Sequence, residues 1–394
     1  MTKTTFPDYE NSILNLMSSV LKHYGLETGK SYLKTISPAD LSGKQNIILI
    51  ILDGYGLNLL KKYSNKESNY LYSNLLTEIS TVFPSTTTSA ITSFSTAQTP
   101  LEHGSLGWAL YFKEFFRLIT YLPNKDHVLD TELDEKKYDA YKIISPKNIF
   151  KQINMHRPDV ELHYLTQEFL SDTPFTKIIT NPCKRHSYKK SSEMISQISK
   201  IVKKDMQSEK FIVGYSTLPD GFEHEFGVYS DEVKNYIKKI DKNIKELSPK
   251  LKGTNSTIII TADHGLIDID EYIYLNEIPE IDDCLILPPF PEPRFVSFFV
   301  KEHKKSDFFL AMNEYKNDFL LMNRDEFFTS KILGEGAVHP KIDDFIGNYI
   351  AIATGKKGFK YKFRNIDKST NLKANHCGIT TDEMIVPLIK IDIL

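Results

Sequence analysis

Three apolar runs that each lead to an aspartate constrain the fold of this chain most strongly. NIILIILDG (46–54), KFIVGYSTLPD (210–220) and STIIITADHG (256–265) contain apolar stretches without alternation. This pattern is typical of central strands that are buried on both faces of a parallel sheet. Because ligands of such sheets bind beyond the carboxyl ends of the strands, we expect the three acids to converge at one edge. They are Asp53, Asp220 and Asp263.

Helical patterns separate these strands and predict an α/β fold. Apolar residues recur at helical spacing before and after the run at 210–220, as expected for helices that pack on a sheet. The predicted architecture is a sandwich around a mixed, mainly parallel central sheet that is flanked by helices. The two apolar stripes are Met194, Ile195, Ile198, Ile201, Val202 and Met206, then Val233, Ile237, Ile240, Ile244 and Leu247.

The length of 394 residues exceeds the size at which one hydrophobic core usually stops growing, so one large domain with a sizeable insertion, or two domains, is expected. PPFPEPRF (288–295) breaks regular structure, and we predict a cap subdomain inserted at about 266–370. The remaining chain divides into an N-terminal helical extension at 1–45 and a catalytic core at 46–265 and 371–394.

Charge, cysteine content and the N-terminal sequence indicate the setting of the protein. A formal net charge of −2 gives no general electrostatic case for a nucleic-acid polymer or an anionic membrane. Pro7, Asp8 and Glu10 interrupt the apolar core that a secretory signal needs, and the aliphatic run at 47–52 is too short to span a bilayer. Three widely spaced cysteines without a CxxC pair fit a reducing compartment. We therefore expect a cytoplasmic protein that acts on a small molecule.

Aspartate and histidine side chains near the predicted strand ends are candidate metal ligands. Asp220 and His224 lie four residues apart, a spacing that places both on one face of a helical turn. Asp263 and His264 are adjacent and can bind one ion only if the chain leaves the strand there, which Gly265 permits. Carboxylate oxygen with imidazole nitrogen suits zinc and similar transition metals. Taken singly, these residues also fit helix caps, surface polar groups or a satisfied core histidine.

The histidine of ANHCGITTDEM (374–384) completes a count of six ligands. Alone, it reads as a loop histidine before the apolar final strand. With the other acids and histidines it divides the candidates into two sets of three. The first set is Asp220, His224 and His376, and the second is Asp53, Asp263 and His264.

The stretch TVFPSTTTSAITS (81–93) contains the candidate nucleophile. Pro84 and Ser85 mark a strand exit, and the small residues after them predict a helix start whose backbone N–H groups could hold an anion. A hydroxyl coordinated to a cation at this point would be deprotonated near neutral pH and could attack a substrate. Without metal ligands nearby, such a stretch is more often a cap or a linker.

The ordered set LDG, FPSTT with PLEHG, PDGFEHEFG, TADHG and NHCG resembles the type I phosphodiesterase/nucleotide pyrophosphatase family of the alkaline phosphatase superfamily. The resemblance runs from residue 46 to the end of the sequence. It implies an alkaline-phosphatase-like sandwich, two divalent metal ions, zinc in preference to manganese, and a threonine nucleophile. That threonine is Thr87, with Thr86 and Thr88 as rivals. One ion would be held by Asp53, Thr87, Asp263 and His264, and the other by Asp220, His224 and His376.

The sequence departs from the family pattern at three points. Ala90 stands where the family often has an asparagine that holds a phosphate oxygen, so other groups must stabilise that oxygen. Glu223 replaces the glycine of PDxxGHxxG, and Thr88 stands where an aromatic ring would stack on a nucleobase. Trp108 and Tyr111 are possible substitutes for that ring, although aromatic residues at this spacing more often belong to a core.

These features predict metal-dependent hydrolysis of phosphodiester or nucleotide pyrophosphate bonds through a phosphothreonine intermediate. The alternatives are a phosphomonoesterase or phosphonate hydrolase at the same site, or a catalytically silent nucleotide-binding protein. The complete ligand set argues against a silent site. Diesters are the expected substrates because no arginine lies between Asp53 and Trp108 to meet the second charge of a monoester. Arg294, in the predicted cap, is the residue that could overturn this expectation.

Overall fold

A seven-stranded sheet forms the centre of the fold in the computed structural model, which describes residues 2–63, 69–144, 147–363 and 371–394. The final strand, Ile385–Ile393, runs antiparallel to both of its neighbours, and the other pairs of adjacent strands are parallel. The prediction of a mixed, mainly parallel sheet is therefore confirmed. In spatial order the strands are Leu75–Ser80, Ile385–Ile393, Ser256–Thr261, Asn46–Leu52, Lys210–Ser216, Glu161–Gln167 and Lys184–Tyr188.

The three predicted strands lie side by side at the middle of this sheet. Asn46–Leu52 pairs with Ser256–Thr261 on one side and with Lys210–Ser216 on the other. All side chains of these strands are buried, which explains why their sequences are apolar without alternation. Because the three strands are parallel and in register, the residues that follow them emerge at the same edge.

The helices predicted on either side of the strand at 210 are Ser191–Lys204 and Asp231–Lys250, and their buried residues belong to the same core as the sheet. The prediction fails only at Met206, which lies beyond the helix and is exposed. The helix ends earlier because the Asp205 carboxylate accepts hydrogen bonds from the Gln207 N–H and the Ser208 hydroxyl. A side chain that bonds its own following backbone favours a turn over another helical residue.

The segment after residue 265 forms a second, four-stranded antiparallel sheet with its own small hydrophobic cluster. The division of the chain at 46, 266 and 371 stays a prediction, and residues 364–370 of the predicted cap lie outside the described residues. The N-terminal helix Ile13–His23 is buried in the main core. The strands of the second sheet, in spatial order, are Phe290–Glu292, Phe295–Phe298, Tyr349–Ala353 and Phe319–Asn323.

Smaller elements complete the fold, and no helix within the described ranges is long and apolar enough to cross a membrane. A third antiparallel sheet comprises Ala109–Phe112, Arg117–Thr120, Lys125–Asp126 and Thr131–Glu132. Two strand pairs are Ile267–Asp268 with Ala374–Asn375, and Glu271–Tyr274 with Lys357–Lys360. Further helices are Pro38–Leu41, Leu57–Tyr63, Tyr70–Ser73, Thr87–Thr96, Pro100–His103, Ala140–Ile144, Ile149–His156, Glu168–Ser171, Pro174–Thr180, Asp220–Phe226, Pro279–Asp282, Lys305–Met312, Arg324–Thr329, Ile342–Phe345 and Thr381–Met384, with 3₁₀ turns at Leu275–Glu277, Glu302–Lys304 and Asn313–Tyr315.

Candidate two-metal centre

The loops after the three central strands are tied to one another by backbone hydrogen bonds. The Asp220 N–H donates to the carbonyl oxygen of Asp53 at 3.0 Å, and the Gly54 N–H donates to the Asp263 carboxylate at 3.1 Å. Gly54 has a φ of 76°, and a Cβ there would come within 2.8 Å of the Asp220 Cα. Only glycine fits this close approach, so the LDG motif brings the two loops together.

The second set of candidate ligands converges on an enclosed point beyond the ends of the central strands. Asp53, Asp263 and His264 each offer a ligand atom within 4.8 Å of the other two. His264 Nε2 lies 3.6 Å from an Asp53 oxygen and 3.4 Å from an Asp263 oxygen. All three residues are buried. The strand ends at Thr261, so Asp263 and His264 lie beyond the sheet. Their side chains are therefore free of the alternation of a strand and turn to the same side.

The first set of candidate ligands lies directly beside the second. Asp220, His224 and His376 also offer ligand atoms within 4.8 Å of one another. Asp220 and His224 begin and continue the short helix Asp220–Phe226, so their four-residue spacing places both side chains on one face, with 3.2 Å between carboxylate and Nε2. The rings of His264 and His376 have centroids 4.0 Å apart, which makes the two sets neighbours.

Backbone carbonyl oxygens orient all three histidines in the same way. His224 Nδ1 donates to Ala374 at 2.8 Å, His376 Nδ1 donates to Ser85 at 3.1 Å, and His264 Nδ1 lies 3.3 Å from the carbonyl of its neighbour Gly265. Each of these contacts directs Nε2 of the ring toward the acids. This is the outer support that metal-binding imidazoles usually have, because it fixes both the tautomer and the ring orientation.

Buried carboxylate oxygens without hydrogen bonds show that the site lacks positive charge. Asp53 Oδ1 and Asp263 Oδ2 are buried and have no hydrogen-bond partner among the described residues, and Asp220 Oδ1 lies 3.2 Å from His224 Nε2. Buried polar atoms in proteins are nearly always paired, so these oxygens require another partner. Burial, and next the neighbouring Asp263 and Asp220, raise the pKa of Asp53 well above its ordinary value. A divalent cation would satisfy these oxygens, so the residues present fit a metal ion.

The pKa values of His224 and His376 shift in opposite directions at this site. Burial opposes a charge on His224, but the Asp220 carboxylate outweighs it and raises the pKa of His224 to about 9. Burial, and next the adjacent His264, lower the pKa of His376 well below its ordinary value. One proton therefore partly compensates the acids on the outer side of the site. No such compensation reaches Asp53, where the carboxylates are most enclosed.

The threonine turn places one hydroxyl at the centre. Thr87 is the first residue of the helix Thr87–Thr96, and its Oγ1 lies 3.2 Å from His264 Nε2. The hydroxyl of Thr86 instead donates to Glu292 at 3.1 Å, and the hydroxyl of Thr88 is buried without a hydrogen-bond partner among the described residues. Among the three rivals, Thr87 alone faces a candidate metal ligand.

A cavity of about 870 Å³ is lined by Thr87 and by the three residues of the first set, Asp220, His224 and His376. Trp108 also lines it and is 43% exposed. Tyr111 does not line the cavity, because its ring packs against Phe290. Of the two aromatic residues considered as substitutes for a base-stacking ring, only Trp108 is therefore in position.

Arg294 is not a donor at this site, and the expectation that the cap might fold it over the site is wrong. Its side chain is fully buried and makes two hydrogen bonds to Glu383, at 2.6 and 2.8 Å. Two further bonds go to the backbone carbonyls of Gly355 and Lys357. The guanidinium joins the second sheet to the final helix, since a buried arginine is stable only where its donors are paired.

Two further residues, Tyr215 and Glu292, contact the site although no sequence motif identifies them. The Tyr215 hydroxyl donates to the Asp53 carboxylate from the neighbouring strand, and alternation along that strand could have indicated its direction. Glu292 accepts hydrogen bonds from the Trp108 N–H at 2.6 Å and from Thr86, and it lines the cavity. Of the residues that replace family positions, Ala90 and Glu223 are both fully buried, and neither lines the cavity.

Comparison with known proteins assigns this arrangement first to a class of fold. Murine ectonucleotide pyrophosphatase/phosphodiesterase 5 has a similar structure, with a TM-score of 0.63 at 16% identity over 87% of each chain. Phosphonoacetate hydrolase from Sinorhizobium meliloti 1021, in complex with phosphonoformate, gives a TM-score of 0.56 at 16% identity over 88% of this chain and 90% of that one. The fold is of the alkaline-phosphatase type.

The sequence then defines the family within that class. The chain belongs to the type I phosphodiesterase/nucleotide pyrophosphatase family, whose model matches residues 47–320. The resemblance read from the motifs is therefore confirmed. No curated protein sequence matches the chain. Family membership supports hydrolysis of a phosphodiester or pyrophosphate bond.

Proposed function

We propose that this protein hydrolyses phosphodiester or nucleotide pyrophosphate bonds, with two divalent metal ions and Thr87 as the nucleophile. The observation that carries the proposal is the pair of Asp/His sets, with unpaired buried carboxylate oxygens, beside the Thr87 hydroxyl. Zinc is the preferred ion because both sets combine carboxylate oxygen with imidazole nitrogen. When bound, the ions would neutralise phosphoryl oxygens and favour the ionised Thr87 hydroxyl.

Thr87 would form a covalent bond to phosphorus. Its oxygen attacks in line, and the bond between phosphorus and the departing alcohol oxygen breaks as the new one forms. Water then cleaves the phosphothreonine and restores the hydroxyl. The proposed ligands are Asp53, Thr87, Asp263 and His264 for one ion, and Asp220, His224 and His376 for the other.

The helix start around Thr87 would hold the remaining phosphoryl oxygen. The first N–H groups of the helix Thr87–Thr96 have no acceptor within the helix, so they are available to an anion. Ala90 has no side-chain donor. Backbone N–H groups together with the metal ions are therefore the groups that would stabilise the developing charge.

The charges that line the cavity favour diesters over monoesters. A monoester brings a second negative charge, which usually requires an additional cation or a forked arginine. Among the described residues that line the cavity, Lys360 is the one lysine or arginine, and its Nζ donates to Asn371 at 3.0 Å and lies over the Tyr272 ring. Arg294 is held by Glu383, and Glu292 adds a buried carboxyl.

The test is the ratio of kcat/KM for bis(p-nitrophenyl) phosphate to that for p-nitrophenyl phosphate, measured with zinc-reconstituted protein. We expect a ratio well above one. A ratio below one would replace the diesterase with a phosphomonoesterase at the same site, and turnover of neither ester would favour a silent binding protein. Protein treated with a chelator is the control, because activity that belongs to this site must disappear with the metal and return with zinc.

A further inference from the structure

Asp53 and Asp263 each use one carboxylate oxygen within the chain and leave the other unpaired. Asp53 Oδ2 accepts a hydrogen bond from the Tyr215 hydroxyl. Asp263 Oδ1 accepts from the backbone N–H groups of Gly54 at 3.1 Å and of His264 at 3.0 Å. The other two oxygens, Asp53 Oδ1 and Asp263 Oδ2, are buried and have no hydrogen-bond partner among the described residues. The second set therefore offers one carboxylate oxygen from each acid.

These two oxygens face the same histidine nitrogen as the Thr87 hydroxyl does. His264 Nε2 lies 3.6 Å from Asp53 Oδ1 and 3.4 Å from Asp263 Oδ2. The same nitrogen lies 3.2 Å from Thr87 Oγ1. Atoms that bind a tetrahedral zinc ion at about 2.0 to 2.1 Å lie about 3.3 to 3.4 Å from one another. The three separations bracket this value, so two carboxylate oxygens, one imidazole nitrogen and one hydroxyl oxygen fit a four-coordinate ion.

The neighbouring strand directs Tyr215 at Asp53. Tyr215 pairs with Ile51 in the parallel ladder of the central strands, and Asp53 follows Ile51 by two residues. Because side chains two residues apart along an extended chain lie on the same face, Tyr215 and Asp53 meet on one side of the sheet. The ring of Tyr215 is buried, and a phenol keeps its proton at neutral pH. The hydroxyl therefore donates to the carboxylate and occupies one of its two oxygens.

The number of oxygens that a carboxylate offers influences which ion it binds. An aspartate with both oxygens unpaired can bind one ion through both, and ions that take six or more oxygen ligands often use this mode. Zinc prefers four ligands with one oxygen from each carboxylate. Because Tyr215 engages Oδ2, Asp53 presents Oδ1 alone, and the coordination number of the second set stays low.

We propose that Tyr215 is a positioning residue that holds Asp53 as a one-oxygen ligand and so makes the second set selective for zinc over manganese. The presence of the ion rests on the proposed function, and the role of the hydroxyl rests on the contacts within the chain. Tyr215 does not line the cavity, so it acts on the site through Asp53.

Tyr215→Phe is the test variant and Tyr188→Phe the matched control. Both changes remove the hydroxyl of a buried tyrosine, but the Tyr188 hydroxyl donates to the backbone carbonyl oxygen of Tyr215, at 2.7 Å, and not to a carboxylate. Zinc affinity is measured by competition with a chromogenic chelator. Manganese affinity is measured from the electron paramagnetic resonance signal of the free ion. Both titrations start from metal-free protein.

We expect two zinc-binding steps in the wild type, of which Tyr215→Phe weakens one by about tenfold or more and the other by less than about threefold. The ratio of zinc to manganese affinity at the weakened step should fall by about tenfold, because manganese can use the oxygen that Tyr215 no longer occupies. Tyr188→Phe should keep both steps and the ratio. Equal weakening of both steps, no weakening of either, an unchanged ratio, or the same changes in Tyr188→Phe would overturn the inference.

The wild type provides a second test that does not depend on the folding of a variant. In a crystal structure with zinc, we expect Asp53 to contact the ion of the second set through Oδ1 alone, with the Tyr215 hydroxyl still bonded to Oδ2. Contact of the ion with both oxygens of Asp53 would overturn the inference.

Metal binding and turnover together separate the failure of this inference from the failure of the proposed function. Fewer than two zinc ions in the wild type would contradict both. Two ions in an active wild type, with unchanged binding in Tyr215→Phe, would contradict the role of Tyr215 and leave the diesterase intact. Two ions with the expected effect of Tyr215→Phe, but without turnover of bis(p-nitrophenyl) phosphate, would contradict the diesterase and leave the role of Tyr215 intact.

Discussion

The buried carboxylate Glu383 has its counter-charge within the chain, whereas the buried Asp53 and Asp263 do not. Glu383 is fully buried, and its two oxygens accept hydrogen bonds from Arg294, Gly378 and Thr380. Asp53 and Asp263 are equally enclosed, yet each has an oxygen without a partner among the described residues. Both groups of carboxylates join distant parts of the chain, so their structural position does not explain the difference.

The comparison shows how a structural ion pair differs from a site that requires a ligand. Both oxygens of Glu383 are paired with donors of the chain, so this group does not require a ligand, although removal of either partner would be costly. At the strand ends, Asp53, Asp220 and Asp263 are gathered without an arginine or lysine from the described part of the chain, and three imidazole nitrogens face them. Such a set is costly without a cation, and that cost is typical of binding and catalytic sites.

The largest expected effect tests whether the site around Asp53 and Asp263, whose carboxylates lack a counter-charge, is the reactive one. Thr87→Ala should lower kcat for a diester by about three orders of magnitude or more, because neither Thr86 nor Thr88 directs its hydroxyl at a candidate metal ligand. Thr88→Ala is the matched control and should change the rate much less, since that hydroxyl is buried away from the site. Thr87→Ser should keep part of the activity. Near-normal turnover in Thr87→Ala would transfer the role to a neighbour.

The second prediction concerns Glu383 and its counter-charge, Arg294. Arg294→Met should lower the free energy of unfolding by about 3 to 5 kcal/mol, because it leaves Glu383 buried without a counter-charge. Urea denaturation measures this value, and the double variant Arg294→Met with Glu383→Gln should recover part of the loss. A change below about 1 kcal/mol in the single variant would mean that Glu383 is not held by this pair and that the contrast between Glu383 and the aspartates at the strand ends is wrong.

The third prediction uses pH. Burial raises the pKa of Glu292 from its ordinary 4.5 to about 7, so the folded protein keeps a proton that the unfolded chain loses between these values. The contribution of the neutral group to stability is therefore fully present below about pH 4.5 and is lost as the pH rises to about 7. Metal-free wild type should lose about 3 kcal/mol relative to Glu292→Gln between pH 4.5 and 8. If the free energy of unfolding changed equally with pH in the two proteins, the prediction would be wrong.

The smallest expected effect is a gain in the free energy of unfolding, opposite in sign to the loss expected for Arg294→Met. Asp263→Asn should stabilise the metal-free protein by about 1 to 3 kcal/mol, because the amide keeps the acceptor for Gly54 and removes a buried charge without a partner. The same variant should bind zinc much more weakly than the wild type. Thermal unfolding with and without zinc measures both. Destabilisation of the metal-free variant would show that Asp263 is compensated within the chain.

The six candidate ligands could be predicted from the sequence because each lies in a short motif at a strand end, where spacing and topology determine its position. Thr87 required the resemblance, since spacing alone did not separate it from Thr86 and Thr88. Glu292 could not be predicted, because its partners Thr86 and Trp108 lie about two hundred residues away and PFPEP reads only as a break in regular structure. The orientation of the Arg294 side chain could not be predicted either, since it depends on the contact between the second sheet and the final helix.

Anomalous scattering at the zinc edge, from crystals grown with zinc, tests the central claim most directly. We expect two anomalous peaks, one enclosed by Asp53, Asp263 and His264 beside the Thr87 oxygen, and one enclosed by Asp220, His224 and His376. Two peaks at these positions would pair every carboxylate oxygen that now lacks a partner in the two sets. A single peak, or the absence of zinc from either set, would contradict the claim that this site is built for two ions.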